Sequence, residues 1–372
     1  MPTDFNFTDE HEQLRSTLRD FLEAHSDEAA VREQMASEIG YDASVWEQMA
    51  EQMGLAGLII PEEYGGAGYT FVELLIVMEE MGRSLLCAPY LGTAVLASSA
   101  LLACAEEGAR KDALVGIASG KTLATVAYAE PDSAWDLDGI EMEATAKDGG
   151  FELSGTKSWV LDGHVADVIL VVARNEGGLS LFRVEKGAKG LSASLVPTLD
   201  TTRKLTHLEF SATPATRISS GDQTENLTRV LALTQSALAA EQVGGAQMCL
   251  ETATEYAKTR LQFGRPIGSY QAIKHKCADM LVEVELAKSA AYAACFAAAE
   301  NEDDFLEAAA LAKAYCSETY FHAAAENIQI HGGMGFTWEL PAHLYFKRAK
   351  ASDLFMGDAA HHRERLAALI GL

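Results

Sequence analysis

Basic residues are scarce in this 372-residue chain: 29 Lys and Arg stand against 54 Asp and Glu, a formal charge of −25. Phosphate backbones and anionic lipid surfaces are held by Lys and Arg, so the expected partners include neither nucleic acid nor membrane. No stretch reaches the roughly 20 apolar residues that a membrane helix needs. The start, Met1-Pro2-Thr3-Asp4, lacks the basic and apolar regions of a secretory signal. Cysteines are few and unpaired in sequence. Cys87, Cys104, Cys249, Cys277, Cys295 and Cys316 form no C-x-x-C and sit among Ala and Leu. They read as small buried hydrophobes of a reducing compartment, which makes the cytoplasm the expected location. Metal spacing is missing too. His322 and His331 lie nine residues apart without an acidic partner, and His361-His362 are adjacent in a charged helix. These histidines read as surface residues, and no metal is expected. Also missing are a G-x-S-x-G turn, a G-x-x-x-x-G-K-[ST] loop and a strand–GxGxxG–helix unit. Their absence argues against α/β-hydrolase, P-loop and nicotinamide Rossmann chemistry.

What is present is a globular composition, 48% hydrophobic, in three blocks. Residues 1–120 read as helices. Leu14, Leu18, Phe21 and Leu22 recur at helical spacing, as do Val45, Met49, Met53 and Leu55. Helical sequence resumes over Phe71–Met81 and Leu91–Leu114, after the Gly-rich loop from Pro61 to Gly68. Residues 121–218 read as short strands with Gly turns at Lys147-Asp148-Gly149-Gly150 and Asn175-Glu176-Gly177-Gly178. That pattern predicts an antiparallel, barrel-like β domain. Residues 225–372 read as a four-helix bundle: 227–263, 270–300, 304–330 and 358–369. The predicted class is α+β, ordered helices, sheet, helices.

Several segments at element boundaries carry chemistry. Gly332-Gly333-Met334-Gly335 follows a helix, where backbone amides can approach an anion or a ring, although taken alone a helix C-cap explains it better. Arg260…Phe263-Gly264-Arg265 ends another helix, where Arg suits either a phosphate or the helix dipole. Together with Pro61-Glu-Glu-Tyr-Gly-Gly-Ala-Gly68, Ala129-Glu130-Pro131, Leu153-Ser-Gly-Thr-Lys-Ser-Trp159, Ile267…Gln271 and Gln329-Ile-His-Gly-Gly-Met-Gly-Phe336, they run in one order along the chain. In that order and spacing, the chain resembles the acyl-CoA dehydrogenase family from end to end.

The resemblance implies FAD-dependent α,β-desaturation of an acyl-CoA thioester, with electrons passed to an electron-transfer flavoprotein. A carboxylate takes the α-proton while the flavin accepts the β-hydride. It also implies a flavin shared between two chains. Tyr128 and Trp159 would lie at this chain's own flavin ring. Arg260, Phe263, Ile267, Tyr270 and Gln271, with Gln329, Gly332 and Gly333, would serve a neighbour's flavin. The family's base, a Glu in a Tyr-Glu-Gly-Thr segment, matches Met356 in Phe355-Met356-Gly357-Asp358. The alternative base position matches Thr234, with Gln235 where an Arg is usual. Neither Met356 nor Thr234 can accept the proton. Glu241 and Asp358 are nearby acids, read in preference as a buried helix carboxylate and an N-cap. The ring contacts depart as well: Ala129 and Leu161 replace hydroxyl residues, and Ala134-Trp135 match a small Gly-Ser pair. The expectation is a chain that completes a partner's FAD site in an α2β2 assembly, of the kind known for steroid side-chain or dicarboxyl substrates. The alternatives are a self-sufficient homotetramer with an unusual base, and a flavin-free structural homologue.

Overall fold

The computed structural model describes residues 5–131, 135–147 and 149–372. The opening Met1–Asp4, the Asp132-Ser133-Ala134 part of the ring-contact block and Asp148 of the first Gly turn lie outside the described residues. In chain order the helices begin with α1 (Asp9–His25), α2 (Glu28–Ala36), α3 (Ala43–Glu47), α4 (Phe71–Arg83), α5 (Ser98–Cys104) and α6 (Glu107–Ala118). Strands follow: β1 (Ala124–Ala127), β2 (Ala144–Lys147), β3 (Gly150–Leu161), β4 (Val168–Asn175), β5 (Gly178–Glu185), β6 (Leu191–Leu195) and β7 (Leu205–Arg217). The long α7 (Thr224–Thr259) leads to a small hairpin, β8 (Leu261–Gln262) and β9 (Arg265–Pro266). The chain ends with α8 (Gln271–Glu300), α9 (Phe305–His331), α10 (Ala342–Leu354) and α11 (Ala359–Leu369).

Two compact units emerge: residues 1–33, 71–86 and 235–372 form one, and residues 34–70 and 87–234 the other. In the second, the strands run in the order β1-β4-β5-β7-β3-β2, with β6 on β7. The Asn175–Gly178 turn joins β4 to β5, as its sequence predicts. The barrel-like expectation is corrected in two ways. The sheet does not close, and β1 pairs with β4 in parallel. A parallel pair is possible because β2 and β3 lie in the β1–β4 connection, long enough for a crossover. The core of this unit includes Leu153, Val171, Phe182 and Leu208 on alternate strand positions. The predicted helix over 91–114 is broken. A π-type turn covers Leu91–Ala97, and Ala105 takes extended geometry between α5 and α6.

The first unit is helical and packed on small residues. Ala237, Ala240, Val243 and Ala253 of α7, and Ala287, Ala291 and Ala294 of α8, are fully buried. The bundle has α10 in addition to the four predicted helices. Its Lys347-Arg348-Ala349-Lys350 run and its buried His343 and Arg348 hide the amphipathic signal. The closest approach is that of α4 and α7. A Cβ on Gly82 would lie 1.9 Å from the Glu241 carbonyl oxygen, and one on Gly244 would lie 1.8 Å from that of Glu79. Here glycine is required for space, not for backbone freedom. The N-terminal α1 is pinned beside this crossing: Arg15 reaches Glu79 at 2.7 Å, and Arg19 reaches Glu80 at 2.6 Å. All six cysteines are free, and Cys277 is only partly buried, unlike the other five. Among the described residues no helix is long and apolar enough to cross a membrane, and no metal-binding group of three or more His, Cys, Asp or Glu occurs.

Gly82→Ala and Gly244→Ala are each expected to cost about 2–3 kcal/mol by overpacking. Chemical denaturation checks this against Gly108→Ala, where an added Cβ meets nothing within 4 Å and stability should hold or rise slightly.

Candidate functional site

Neither predicted base position holds a base. Met356, between α10 and α11, is fully buried and has φ of 61°. This is left-handed backbone that costs an ordinary residue about 1 kcal/mol or more. Its neighbours impose that shape. The Met356 carbonyl accepts from His362 Nε2 at 2.9 Å and from Gln235 Nε2 at 3.5 Å. The fully buried Lys313 of α9 donates to Ser317 Oγ, Ser352 O and Gly357 O at 3.0 Å, and to Asp353 O at 3.2 Å. Two of these carbonyls end α10, so the ammonium also meets the negative end of that helix. Apart from the Ser317 hydroxyl these acceptors are backbone carbonyls, and none of these hydrogen bonds involves the Met356 side chain.

Thr234, buried in α7, gives its hydroxyl to Val230 O at 2.9 Å. Glu241 is buried and bound to the equally buried Arg348 of α10 at 2.8 Å. A carboxylate engaged in this way is a tie between α7 and α10. Asp358 caps α11, accepting from the His361 amide at 2.9 Å, and that bond holds its carboxyl below the usual range. His362 departs from the surface reading: it is fully buried, and burial followed by the Lys313 charge pushes its pKa down to about 3.

The second unit holds Tyr128 and Trp159, which the family resemblance sets at a flavin ring. Lys157, wholly buried, donates to Tyr128 O at 2.9 Å and to Glu130 Oε1 at 2.6 Å. Burial lowers the Lys157 pKa to about 8. Burial works the other way on Glu130, but Lys157 and the Glu141 and Met142 amides outweigh it and hold that carboxylate low. The Glu130-Pro131 and Lys157-Ser158-Trp159 segments are thus one buried tie, reinforced by Ser158 N on Ala129 O at 2.9 Å. A register shift in β3 next to Lys157 turns Trp159 into left-handed geometry, φ 54°. Trp135 lies against it, ring centroids 5.6 Å apart, and 6.3 Å from Tyr128. Ala129 and Leu161 are buried beside them in sequence and offer no hydroxyl.

A third group is exposed on the helical unit. Arg260, Gln271, Gln329, Gly332 and Gly333 are all open to solvent. Phe263, at the tip of the β8–β9 hairpin, is 92% exposed with φ of 52°. Gly332 has φ of 62°, and an added Cβ on it or on Gly333 would meet nothing within 4 Å. Ile267 and Tyr270 are half-buried beneath the hairpin. The surface continues through Met334, Phe336 and Trp338, all exposed. An exposed Arg suits a dinucleotide's phosphate, and the glycine turn, whose Gly332 N–H already donates to Gln329 O, leaves room for a close approach.

Three family models together span the chain: the acyl-CoA dehydrogenase N-terminal domain over residues 8–121, the middle domain over 125–213 and the C-terminal domain over 225–371. The chain belongs to the acyl-CoA dehydrogenase family. Members of this family are FAD-dependent oxidoreductases. The chain is 39% identical over 347 residues to the acyl-CoA dehydrogenase IpdE2 of Mycobacterium tuberculosis, covering 92% of each. It superposes on a solved Tcur3481–Tcur3483 steroid acyl-CoA dehydrogenase variant with a TM-score of 0.88 and 31% identity, covering 97% of this chain and 98% of that one. It also matches a chain of the ChsE4–ChsE5 complex of Mycobacterium tuberculosis, TM-score 0.91 and 27% identity, with 99% of both covered.

Sequence reasoning in acyl-CoA dehydrogenase terms did not find Lys313. Its signal is there, since Lys313 is the sole charge in the run 308–317. The Lys157–Glu130 pairing was also hidden, because its partners lie in separate motifs. Lys157→Ala removes the ammonium partner of a buried carboxylate and should cost about 3–5 kcal/mol in denaturation experiments. His362 gives a pH signature. Its folded pKa lies below the unfolded value, so between about pH 6.5 and 3 only the unfolded chain takes the proton. Stability should therefore fall on acidification by up to about 1.4 kcal/mol per pH unit. His362→Gln, which keeps a donor for Met356 O but cannot titrate, should flatten that slope in melts between pH 6 and 4.

Proposed function

We propose that this chain is the cofactor-completing subunit of a hetero-oligomeric acyl-CoA dehydrogenase. It lends its exposed helical-unit residues to a partner's FAD and performs no proton abstraction itself. The observation that carries this reading is a contrast within one chain. At the inner positions Met356 stands where the base would be, Glu241 is tied to Arg348, and Trp135 packs on Trp159. At the outer positions Arg260, Phe263, Gln329, Gly332 and Gly333 are intact and open.

The fit to FAD divides the same way. The outer set supplies a cation, a side-chain amide and a glycine turn with room for close approach, which suits a pyrophosphate. The inner set lacks two hydroxyls, and an indole lies beside the tryptophan that should flank the flavin ring, so this chain's own ring site does not fit. Bound flavin supplies hydride acceptance. This chain's part is to neutralise phosphate charge with Arg260 and to leave room for close approach at Gly332 and Gly333.

The relatives support the quaternary and substrate readings. Two solved ones are named as pairs of distinct chains, and one of these as a steroid enzyme. The substrate class proposed is accordingly a steroid-derived acyl-CoA, with an electron-transfer flavoprotein as acceptor. No membrane or nucleic-acid partner is proposed.

The test is a visible spectrum and flavin-to-protein ratio, with dye reduction by a panel of fatty and steroid-derived acyl-CoAs. The chain alone should be colourless and inactive. Co-expressed with a homologue carrying Glu at the position matching Met356, it should be yellow and active. Arg260→Ala in this chain should then weaken flavin retention about tenfold. A yellow chain that turns over alone would overturn the proposal.

A further inference from the structure

The hairpin after α7 poses a physical problem. Its strands are two residues each, Leu261 pairing Pro266 and Gln262 pairing Arg265. An isolated hairpin of that size is not stable in water. The two-residue loop makes matters worse. Phe263 and Gly264 have φ of 52° and 79°, the positive values a type I′ turn demands at both positions. Glycine adopts them freely, whereas phenylalanine pays for the left-handed region. Phe263 is almost fully exposed, so no burial within this chain offsets that strain.

The offsetting contacts come from below. Tyr270, the residue before α8, sends its hydroxyl to Gln262 O at 3.3 Å, on the first strand. The Arg265 guanidinium, on the second strand, lies 4.0 Å from the Tyr270 ring centroid. One side chain therefore touches both strands, with its polar end and with its face. The base of the loop is closed by Ile267 N on Arg260 O at 2.8 Å.

We propose that Tyr270 and Arg265 are positioning residues. They brace the hairpin so that Phe263 and Arg260 are presented in a fixed geometry, and they do not contact the cofactor themselves. Tyr270, which the family resemblance places among the flavin contacts, is thereby reassigned. Its hydroxyl and one face of its ring are committed within its own chain. This inference rests on the completing-subunit reading for its consequence, but its geometry belongs to this chain alone.

The experiment has two readouts. The first is hydrogen exchange of the Ile267 amide in the chain alone. The second is flavin affinity of the co-expressed assembly. Tyr270→Leu and Arg265→Met should each speed the Ile267 exchange about tenfold and weaken flavin binding about three- to tenfold, at unchanged global melting temperature. Tyr270→Phe, which keeps the ring and loses the hydroxyl, should fall between them and the parent, and Arg265→Lys should partly rescue. If exchange and flavin affinity are unchanged in Tyr270→Leu and Arg265→Met while Phe263→Ala weakens flavin, the brace is wrong. If Phe263→Ala and Arg260→Ala are also silent, the completing-subunit reading fails, and the exchange measurement still decides the brace on its own.

Discussion

The helical unit depends on one point of contact, where Gly82 of α4 and Gly244 of α7 let two backbones meet with no side chain between them. Everything around that point is arranged by it. The adjacent carboxylates of Glu79 and Glu80 are carried beside the crossing, where Arg15 and Arg19 of α1 reach them. On the other helix, Glu241 is three residues before Gly244 and turns toward Arg348. Neighbouring Gly245 leaves room for the buried Tyr320 ring of α9. A bundle built on alanine and glycine gains close packing but little apolar area per residue. It relies on polar ties of this kind to fix which helices meet.

Two buried lysines show the same logic in the two units. Lys157 has a carboxylate partner and stitches Tyr128 and Glu130 to β3. Lys313 gathers backbone carbonyls and a hydroxyl and so holds the end of α10 and the turn after it. Burying an ammonium is costly unless every proton finds an oxygen. Each of these two is surrounded by oxygens, which is why each fixes a segment and does not loosen one.

The order of helices, sheet and helices could be read from sequence because periodicity and Gly turns report on local structure. So could most strands and the three long helices. The opening of the sheet could not, since the β1–β4 pairing joins segments far apart in the chain. Helix α10 was obscured because Arg348 and His343 are buried for tertiary reasons, which makes its pattern look polar. For the candidate site, the sequence showed that Met356 and Thr234 cannot act as bases. It could not show that Glu241 is spent on Arg348, that Asp358 caps a helix through His361, or that Tyr270 faces its own hairpin. Those are facts about partners, and partners are chosen by the fold.

The turn around Met356 has one more consequence. Its left-handed backbone is held from outside, by Lys313, His362 and Gln235, through carbonyl oxygens alone. The hydrogen bonds that shape this position make no use of its own side chain, so a buried side chain of similar volume can stand there without disturbing them. After a gene duplication, one copy could exchange a proton-accepting residue here for an inert one and still fold, dock and present its outer surface unchanged. Chemistry and architecture are separately heritable at this residue, and a division of labour between two related chains needs only that separation to begin.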